Sequence, residues 1–423
     1  MIARWRWVLR AVLKQLWFRA TVFSVLGVLS ALLAVVFKDY VPQSLSTIVG
    51  SDAVDKILGI LASSMLAVTT FSLSAMVSAY GSISSGVTPR ATTLMMEDAT
   101  TQNALATFIG SFLFSLVGII ALSTGVYGSE GRVLMFGVTI AVIVIIVYTL
   151  LRWIDHLSRL GRIGETIDLV ENATISALND RNEWPNMGAC AHPGVVPENG
   201  FAVVAAETGY VQHIDMSALI HIAEPSSAEF YVEVVPGSFV TEGEMLVWVA
   251  KNASDEPEQA LQVRIRAAFT LGIRRTFEHD PRFGLSVLAE VASRALSPAV
   301  NDPGTAIDIL GRGVRTLACW QRTNGTIEQS QPLCRSVFMR SLDTRDLFED
   351  FFSPIARDGA ALIEVNVRLI KALGSLVRLN PAFLDIASRQ ADHLLQYAGH
   401  ALALDEEKER LRLLADGLGL TRI

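Results

Sequence analysis

Nine polar residues between Arg274 and Asp308 form the densest group in this sequence with chemically active side chains. They are Arg274, Arg275, Glu278, His279, Asp280, Arg294, Asn301, Asp302 and Asp308. A histidine beside carboxylates is a combination that binds metal ions or transfers protons. The sequence therefore offers a candidate polar cluster in a cytoplasmic domain, whose members are Arg274, Arg275, His279, Asp280, Asn301 and Asp302.

The same residues also have a purely structural interpretation. Asp280-Pro281, Ser297-Pro298 and Asp302-Pro303 each resemble a helix N-cap followed by a proline in the first turn. A single histidine beside such a cap is more often structural or exposed than a ligand. The sequence contains no phosphate-binding glycine loop, HExxH motif or nucleophile elbow. We therefore expect no catalytic residues, no metal site, no cofactor and no enzyme activity.

A second polar set lies inside an apolar segment. Ile57–Pro89 carries no charged residue, and about twenty apolar residues suffice to span a bilayer. Hydroxyl side chains recur within it at helical spacing, on one side of the predicted helix. We call these residues the hydroxyl face; they are Ser63, Thr70, Ser74, Ser78, Ser82 and Ser85.

The hydroxyl face has two interpretations, which the sequence leaves open. Small and hydroxyl-bearing residues allow membrane helices to pack closely. Alternatively, a helix of this length, about 45–50 Å, overshoots the hydrocarbon core, and its hydroxyls line a neutral pore for ions or small solutes. No charged residue or histidine lies inside any predicted span, which argues against proton relays and voltage sensing.

Three further charge-free segments are long enough to cross a membrane. They are Ala20–Phe37, Ala99–Ser129 and Val133–Leu151, so four transmembrane helices are predicted over residues 20–152. The composition agrees, because only 18% of residues are charged against about 25% in soluble proteins. Basic residues precede the first span and follow the fourth, which predicts cytoplasmic termini by the positive-inside rule.

The segments that flank the spans supply further expectations. In residues 1–19, tryptophans alternate with basic residues, which predicts an interfacial amphipathic helix that is either a plain anchor or a sensor of lipid or tension. Cys190, Cys319 and Cys334 are far apart in sequence, which predicts neither a disulfide framework nor a zinc site. The net charge of −7 and the lack of an aromatic-basic patch beyond the N-terminus make nucleic acid an unexpected partner.

The rest of the chain predicts an α+β cytoplasmic domain. Its parts are a connecting helix (residues 153–182, within a helix through His156–Leu178), a small β module (183–260) and a helical domain (261–423). Within the β module, Val235–Val247 and Glu207–Ile214 resemble the two halves of a barrel-sandwich hybrid, as in biotinyl and lipoyl domains. The hairpin that would carry a modifiable lysine is absent, so we expect a structural or subunit-contact role.

Two longer blocks carry a family resemblance. Ser63–Ala91 reads SSMLAVTTFSLSAMVSAYGSISSGVTPRA and Ala295–Asp308 reads ALSPAVNDPGTAID. Arg274–Leu285 also fits, with His279 where glutamine is expected. Over nearly its whole length the chain resembles the bacterial predicted-membrane-protein family called domain of unknown function 2254. The resemblance implies a multi-pass protein of the bacterial inner membrane, but it implies no activity and no catalytic residues.

These observations lead to one functional expectation and two alternatives. Four helices hardly enclose a continuous path, so we expect a homo-oligomeric channel-like protein with a pore lined by the hydroxyl face. Its expected partners are the lipid bilayer, other copies of the chain, and ions or small solutes. The first alternative is a membrane-anchored scaffold or sensor with a partner-binding cytoplasmic domain. The second is an enzyme that uses the residues between Arg274 and Asp308.

Overall fold

A computed structural model describes residues 51–86, 88–96, 98–123, 128–159, 162–226, 228–250, 258–320 and 332–421, with six isolated residues between 18 and 29. Apart from those six, the predicted interfacial helix and the predicted first span lie outside the described residues. The described chain divides into an N-terminal unit that ends at Thr166 and a C-terminal unit, Ile167–Ile423.

The N-terminal unit consists of long apolar helices. They are α1 (Ser51–Gly86), the short α2 (Thr92–Met96), α3 (Ala99–Ser123) and α4 (Gly128–Arg159). Among the described residues, three segments are long and apolar enough to cross a membrane: Ala53–Gly81, Thr92–Ser123 and Met135–Arg159. They coincide with the second, third and fourth predicted spans. At about 1.5 Å per residue, the 36 residues of α1 extend for about 54 Å.

Apolar side chains and one glycine hold α1, α3 and α4 together. Leu58, Phe114 and Met135 are buried in one cluster of these helices. A second cluster contains Met65, Phe108, Ile146 and Trp153. A Cβ atom at Gly118 would lie only 2.5 Å from the terminal methyl of Met135 and 3.0 Å from Leu58, so a larger residue there would require these side chains to move.

The helix predicted to continue from the fourth span through His156–Leu178 is divided in two. α4 ends at Arg159, and α5 spans Ile163–Glu183. Arg162, which immediately precedes α5, is not helical. A 3₁₀ turn at Pro185–Gly188 follows α5, with Asn186 and Met187 in the left-handed region at φ of 51° and 55°.

In the described part of the C-terminal unit, eight short strands form two sheets. The strands are β1 (Cys190–Ala191), β2 (Gly200–Val204), β3 (Gly209–Ile214), β4 (Glu229–Val232), β5 (Phe239–Val240), β6 (Met245–Ala250), β7 (Phe269–Gly272) and β8 (Val337–Met339). The five-stranded sheet has the order β1-β8-β4-β6-β2, and the three-stranded sheet has the order β5-β3-β7. Two helices, α6 (Met216–Ser226) and α7 (Glu258–Arg266), accompany the sheets, whose shared core includes Phe230, Val247 and Leu261.

The two segments predicted to face each other do meet, but only in part. β5 pairs antiparallel with β3, whereas β6 pairs with β2 and β4 in the other sheet. The barrel-sandwich arrangement therefore stays a prediction. The expectation that the chain is helical from Leu261 onward misses β7 and β8. These strands have only four and three residues, which is too short for an alternating pattern to reveal them.

Six further helices lie in the described ranges of the C-terminal unit. They are α8 (Pro281–Ala295), α9 (Pro303–Leu317), α10 (Thr344–Asp358), α11 (Ile363–Leu379), α12 (Leu384–Ala401) and α13 (Asp405–Gly417). Two of the predicted caps are confirmed: the Asp280 carboxylate accepts a hydrogen bond from the Phe283 amide and that of Asp302 from the Thr305 amide. In both cases proline occupies the first turn, where its missing N–H costs nothing.

The predicted N-cap at Ser297-Pro298 is wrong. Residues 296–300 form the turn that follows α8, and the Ser297 hydroxyl donates to the Arg294 carbonyl oxygen at 2.7 Å. Asn301 then adopts the left-handed conformation at φ 51°, and the next helix begins only after Asp302. The serine thus caps the end of one helix instead of the beginning of another, because no helix follows it.

Candidate functional site

The hydroxyl face of α1 points away from the helices that α1 packs against. Successive helical residues are rotated by about 100°, which places Ser63, Thr70 and Ser74 within about 40° of one another. The residues that α1 buries, including Met65 and Met76, lie on the opposite side. Ser63, Thr70, Ser74 and Ser78 are exposed. Among the described residues, therefore, no element covers this part of the helix.

Each of three exposed hydroxyls is hydrogen-bonded within its own helix. Ser63 donates to the Gly59 carbonyl oxygen at 3.0 Å, Thr70 to that of Leu66 at 2.9 Å and Ser74 to that of Thr70 at 3.0 Å. Such bonds satisfy the hydroxyl proton without a partner from another helix. The oxygen lone pairs remain available to water, an ion or a neighbouring chain. Ser82 and Ser85 lie in the last turns of α1, and only their backbone is described.

Large apolar side chains border the hydroxyl face on both sides. Leu66 and Leu73 lie on one side, and Ile60 and Phe71 on the other, and all four are exposed; Phe71 is 65% exposed. A surface of this kind is costly in water and is stable against lipid or against another apolar helix. The hydroxyl face is thus a narrow polar strip within an apolar surface.

Hydroxyls inside the N-terminal unit are instead buried. Ser111 and Ser115 of α3 and Thr139 of α4 are all less than a tenth exposed. Ser72, which lies on the packed side of α1, accepts a hydrogen bond from the Trp153 indole at 2.9 Å. These residues fit the packing interpretation, in which small polar groups fill helix–helix contacts.

A carboxylate–histidine pair lies at one end of the same helices. The His156 Nε2 atom of α4 lies 3.1 Å from an Asp98 carboxylate oxygen and 3.0 Å from the Thr101 hydroxyl. Asp98 also accepts a hydrogen bond from the Thr101 amide at the start of α3. α4 extends eight residues beyond Leu151, the predicted end of the fourth span, and His156 lies in this extension.

In the C-terminal unit, Asp280 is the centre of the predicted polar cluster. Arg275 donates two hydrogen bonds to its carboxylate, at 2.7 and 2.9 Å. The Asp280 side chain is 3% exposed. The buried Arg181 donates to the carbonyl oxygen of His279 at 3.2 Å. Burial lowers the pKa of Arg181 to about 10, although the negative charges of Asp280 and Asp180 oppose the change.

Asp280 also lies against a tight turn of the β region. A Cβ atom at Gly237, which has φ 95°, would overlap the Asp280 carboxylate. The His279 ring lies 5.2 Å from the His213 ring of β3. Asp280, Arg275 and His279, which we call the Asp280 cluster, therefore join α8 to the β strands, and the Arg275 ion pair compensates the buried Asp280 charge.

The six predicted cluster residues do not all come together. Arg274 contacts β3, where its carbonyl oxygen accepts a hydrogen bond from the Gln212 side chain at 2.8 Å. Asn301 and Asp302 lie beyond the C-terminal end of α8, whereas Asp280 caps its N-terminal end. The 15 residues of α8 separate the two groups by about 22 Å. Within the described ranges, no three or more His, Cys, Asp and Glu side chains are arranged to hold a metal ion.

Comparison with known proteins places the chain in a family. The family model described as "Predicted membrane protein (DUF2254)" matches residues 14–375. The chain belongs to this family. The DUF2254 chain is also similar to uncharacterized proteins of Mycobacterium bovis and of two Mycobacterium tuberculosis strains. Each is 27% identical over 225 residues, which cover 51% of this chain and 42% of the relative. The chain thus matches less than half the length of these relatives, and no solved structure matches it significantly.

Family membership and the exposed apolar helices agree on a membrane location. The DUF2254 description names a membrane protein, and the three candidate spans have the length and hydropathy that a bilayer requires. The protein therefore contacts lipid.

Several residues with side-chain contacts in this DUF2254 chain were not predicted from its sequence. Asp98 and His156 were missed because they lie just outside the charge-free segments. The spacing of three residues between Trp153 and His156 places both on one side of α4, and this spacing could have indicated that His156 faces the packed helices. The ion pairs of Arg312 and Arg315 with Glu171 join α9 to α5, and pairing across 141 or more residues leaves no local pattern.

Proposed function

We propose that this DUF2254 protein is a homo-oligomeric, channel-like protein in which several copies of α1 surround a path through the membrane. The observation that carries the proposal is the position of the hydroxyl face, directly opposite the packed side of α1. One copy leaves these hydroxyls uncovered by its described helices, and several copies arranged around an axis would direct them at a shared interior. We further propose that the protein lies in the bacterial inner membrane with both termini in the cytoplasm.

A path lined in this way would be polar and uncharged. Hydroxyl oxygens replace part of the hydration shell of an ion or solute, and without fixed charges they discriminate weakly between cations and anions. The proposal assigns pore lining to Ser63, Thr70, Ser74 and Ser78, with Ser82 and Ser85 continuing the same side of the helix. It assigns no catalytic residue, in line with an interpretation of the protein as a non-enzyme.

Water accessibility at single cysteines tests the pore. In a background with Cys190, Cys319 and Cys334 changed to serine, Thr70→Cys and Ser74→Cys are made one at a time. Phe71→Cys is the matched control, because it is adjacent, also exposed in one copy and outside the hydroxyl face. Vesicles with the protein are treated with a charged, membrane-impermeant methanethiosulfonate reagent. We expect modification at least tenfold faster at positions 70 and 74 than at 71.

The alternative, a membrane-anchored scaffold or sensor, predicts a different result. If the hydroxyl face packs tightly against a second copy, cysteines at 70 and 74 react slowly and instead form disulfides between copies under mild oxidation. The exposed apolar borders of the face favour such helix contacts as much as they favour lipid. A protein that is strictly monomeric in mild detergent and unreactive at 70 and 74 would contradict the channel proposal.

A further inference from the structure

Two cysteines that are distant in sequence lie close together in the five-stranded sheet. Cys190 belongs to β1, and Cys334 lies three residues before β8, the parallel neighbour of β1. The Cys190 Sγ atom lies 3.6 Å from the Cys334 carbonyl oxygen across 144 residues of sequence. The Leu333 amide donates to the Gly188 carbonyl oxygen at 2.9 Å, so the backbone holds the two segments side by side. Both thiols are free.

We propose that Cys190 and Cys334 form a reversible intramolecular disulfide, which makes this end of the sheet a thiol-oxidation site. A carbonyl oxygen lies about 2.4 Å from its own Cα, so the Cys190 sulfur lies within about 6 Å of the Cys334 Cα. A change of χ1 rotamer moves a cysteine sulfur by about 3 Å. Side-chain rotation can therefore bring the two sulfurs toward the bonding distance of a disulfide without separating the strands.

The reaction partner is a small-molecule disulfide. Cys190 is partly exposed and Cys334 is only 7% exposed, so Cys190 reacts first. Its thiolate attacks one sulfur of the reagent, and a mixed disulfide forms as the first reagent thiolate leaves. Cys334 then loses its proton to solvent and attacks the Cys190 sulfur, and the second reagent thiolate leaves. The protein loses two electrons and two protons, and the reagent disulfide is reduced to two thiols.

The surroundings of Cys190 set the rate of the first step. Burial raises the pKa of the Cys190 thiol, and the nearby Cys334 thiol raises it further, whereas Arg335 acts in the opposite direction. The thiolate is the attacking species and is scarce at neutral pH. The rate of disulfide formation is therefore expected to rise about tenfold per pH unit from pH 7 to 9.

Cys319 provides an internal control. It lies just after α9, where its thiol contacts the Arg315 carbonyl oxygen at 3.4 Å. Trypsin separates the three cysteines, because Cys190, Cys319 and Cys334 fall in peptides 182–251, 316–322 and 323–335. The full chain in mild detergent is incubated with oxidised glutathione between pH 7 and 9, alkylated and digested. Mass spectrometry then identifies each cysteine as alkylated, mixed with glutathione or cross-linked.

The expected product joins peptides 182–251 and 323–335, while Cys319 remains alkylated. Cys319→Ser retains this product, and Cys334→Ser stops the reaction at the glutathione adduct of Cys190. In denaturant the preference for the 190–334 pair falls at least tenfold, since it depends on the fold. Three results would overturn the proposal: full alkylation of both cysteines after oxidation at pH 9, a persistent glutathione adduct at Cys190 in the unmutated chain, or predominant pairing with Cys319. None of these outcomes depends on the proposed channel.

Discussion

The hydroxyl face of α1 and the Asp280 cluster are both polar sets, but they differ in where their partners lie. The Asp280 carboxylate is bound by Arg275 and by a backbone amide of the same unit. The exposed hydroxyls of α1 bond only to their own helix and border open surface. Buried charges must be paired inside the chain, whereas exposed hydroxyls need no such partner.

The difference shows why side-chain chemistry alone is a poor guide to a site. The cluster has the residue types of a catalytic centre, yet its charges are already used to join α8 to a β turn. The hydroxyl face has only weakly reactive hydroxyl groups, yet those at Ser63, Thr70, Ser74 and Ser78 are exposed. Mutations in the two regions should therefore have opposite signatures: loss of stability in the first, and loss of assembly with little loss of stability in the second.

The largest effect is expected for Asp280→Ala. Removal of the carboxylate leaves Arg275 without its ion pair and takes a neutralising charge from beside the buried Arg181, which costs about 3–5 kcal/mol of folding free energy. Pulsed alkylation of the buried Cys334 in increasing denaturant measures this loss in the C-terminal unit. Asp280→Asn, which retains an oxygen for the cap, should lose less. A cost below about 1 kcal/mol for Asp280→Ala would mean that Asp280 stabilises the protein only as a helix cap.

The next largest effect is expected for Gly237→Ala, with Gly243→Ala as the matched control. Both glycines have positive φ, 95° and 84°, so both substitutions strain the backbone similarly. Only at Gly237 would the new Cβ overlap the Asp280 carboxylate; at Gly243 nothing lies within 4 Å. We expect Gly237→Ala to cost about 1–3 kcal/mol more than Gly243→Ala in the same alkylation assay. Equal costs would mean that the β turn does not depend on its contact with Asp280.

Local patterns predicted part of this arrangement, and long-range contacts account for the rest. The Asp-Pro caps at α8 and α9 and the candidate spans follow from spacing and hydropathy within a few turns of helix. The separation of Asp280 from Asp302 follows from the length of α8, and the polar cluster was predicted without taking that length into account. The contacts of Asp280 with Gly237, and of Cys190 with Cys334, depend on tertiary folding and leave no periodic signal.

Asp302→Ala should have a smaller effect, because Asp302 caps α9 at an exposed position. We expect a cost of about 1 kcal/mol at pH 7. Hydrogen bonds from the Thr305 side chain and amide lower the pKa of the Asp302 carboxyl in the folded protein. The folded state then binds fewer protons than the unfolded state, so the carboxyl stabilises the protein above about pH 4 and this contribution is lost as the pH falls further.

The free energy of unfolding is measured for wild type and Asp302→Ala at pH 7 and pH 3. We expect the difference between the two proteins to be smaller at pH 3. A difference independent of pH would assign the cost to helix propensity instead.

The smallest effect on stability is expected for Ser74→Ala, with Ser72→Ala as its counterpart two residues away on the packed side. Ser74 bonds only to its own helix, so its loss should change the unfolding free energy by less than about 0.5 kcal/mol. Ser72→Ala leaves the buried Trp153 indole without its acceptor and should cost about 0.6 kcal/mol and up to about 1.7 kcal/mol, the range for hydrogen bonds between membrane helices. Thermal unfolding in detergent measures both effects. It is followed by the fluorescence of Trp153, which is obtained by subtracting the signal of a Trp153→Phe protein.

Size-exclusion chromatography tests assembly and should show the reverse order. We expect assembly to be altered by the bulkier Ser74→Leu and to be unaffected by Ser72→Ala. If Ser74→Leu assembles as the wild type does, the outward side of α1 faces lipid. The hydroxyl face and the Asp280 cluster would then differ only in how deeply their side chains are buried.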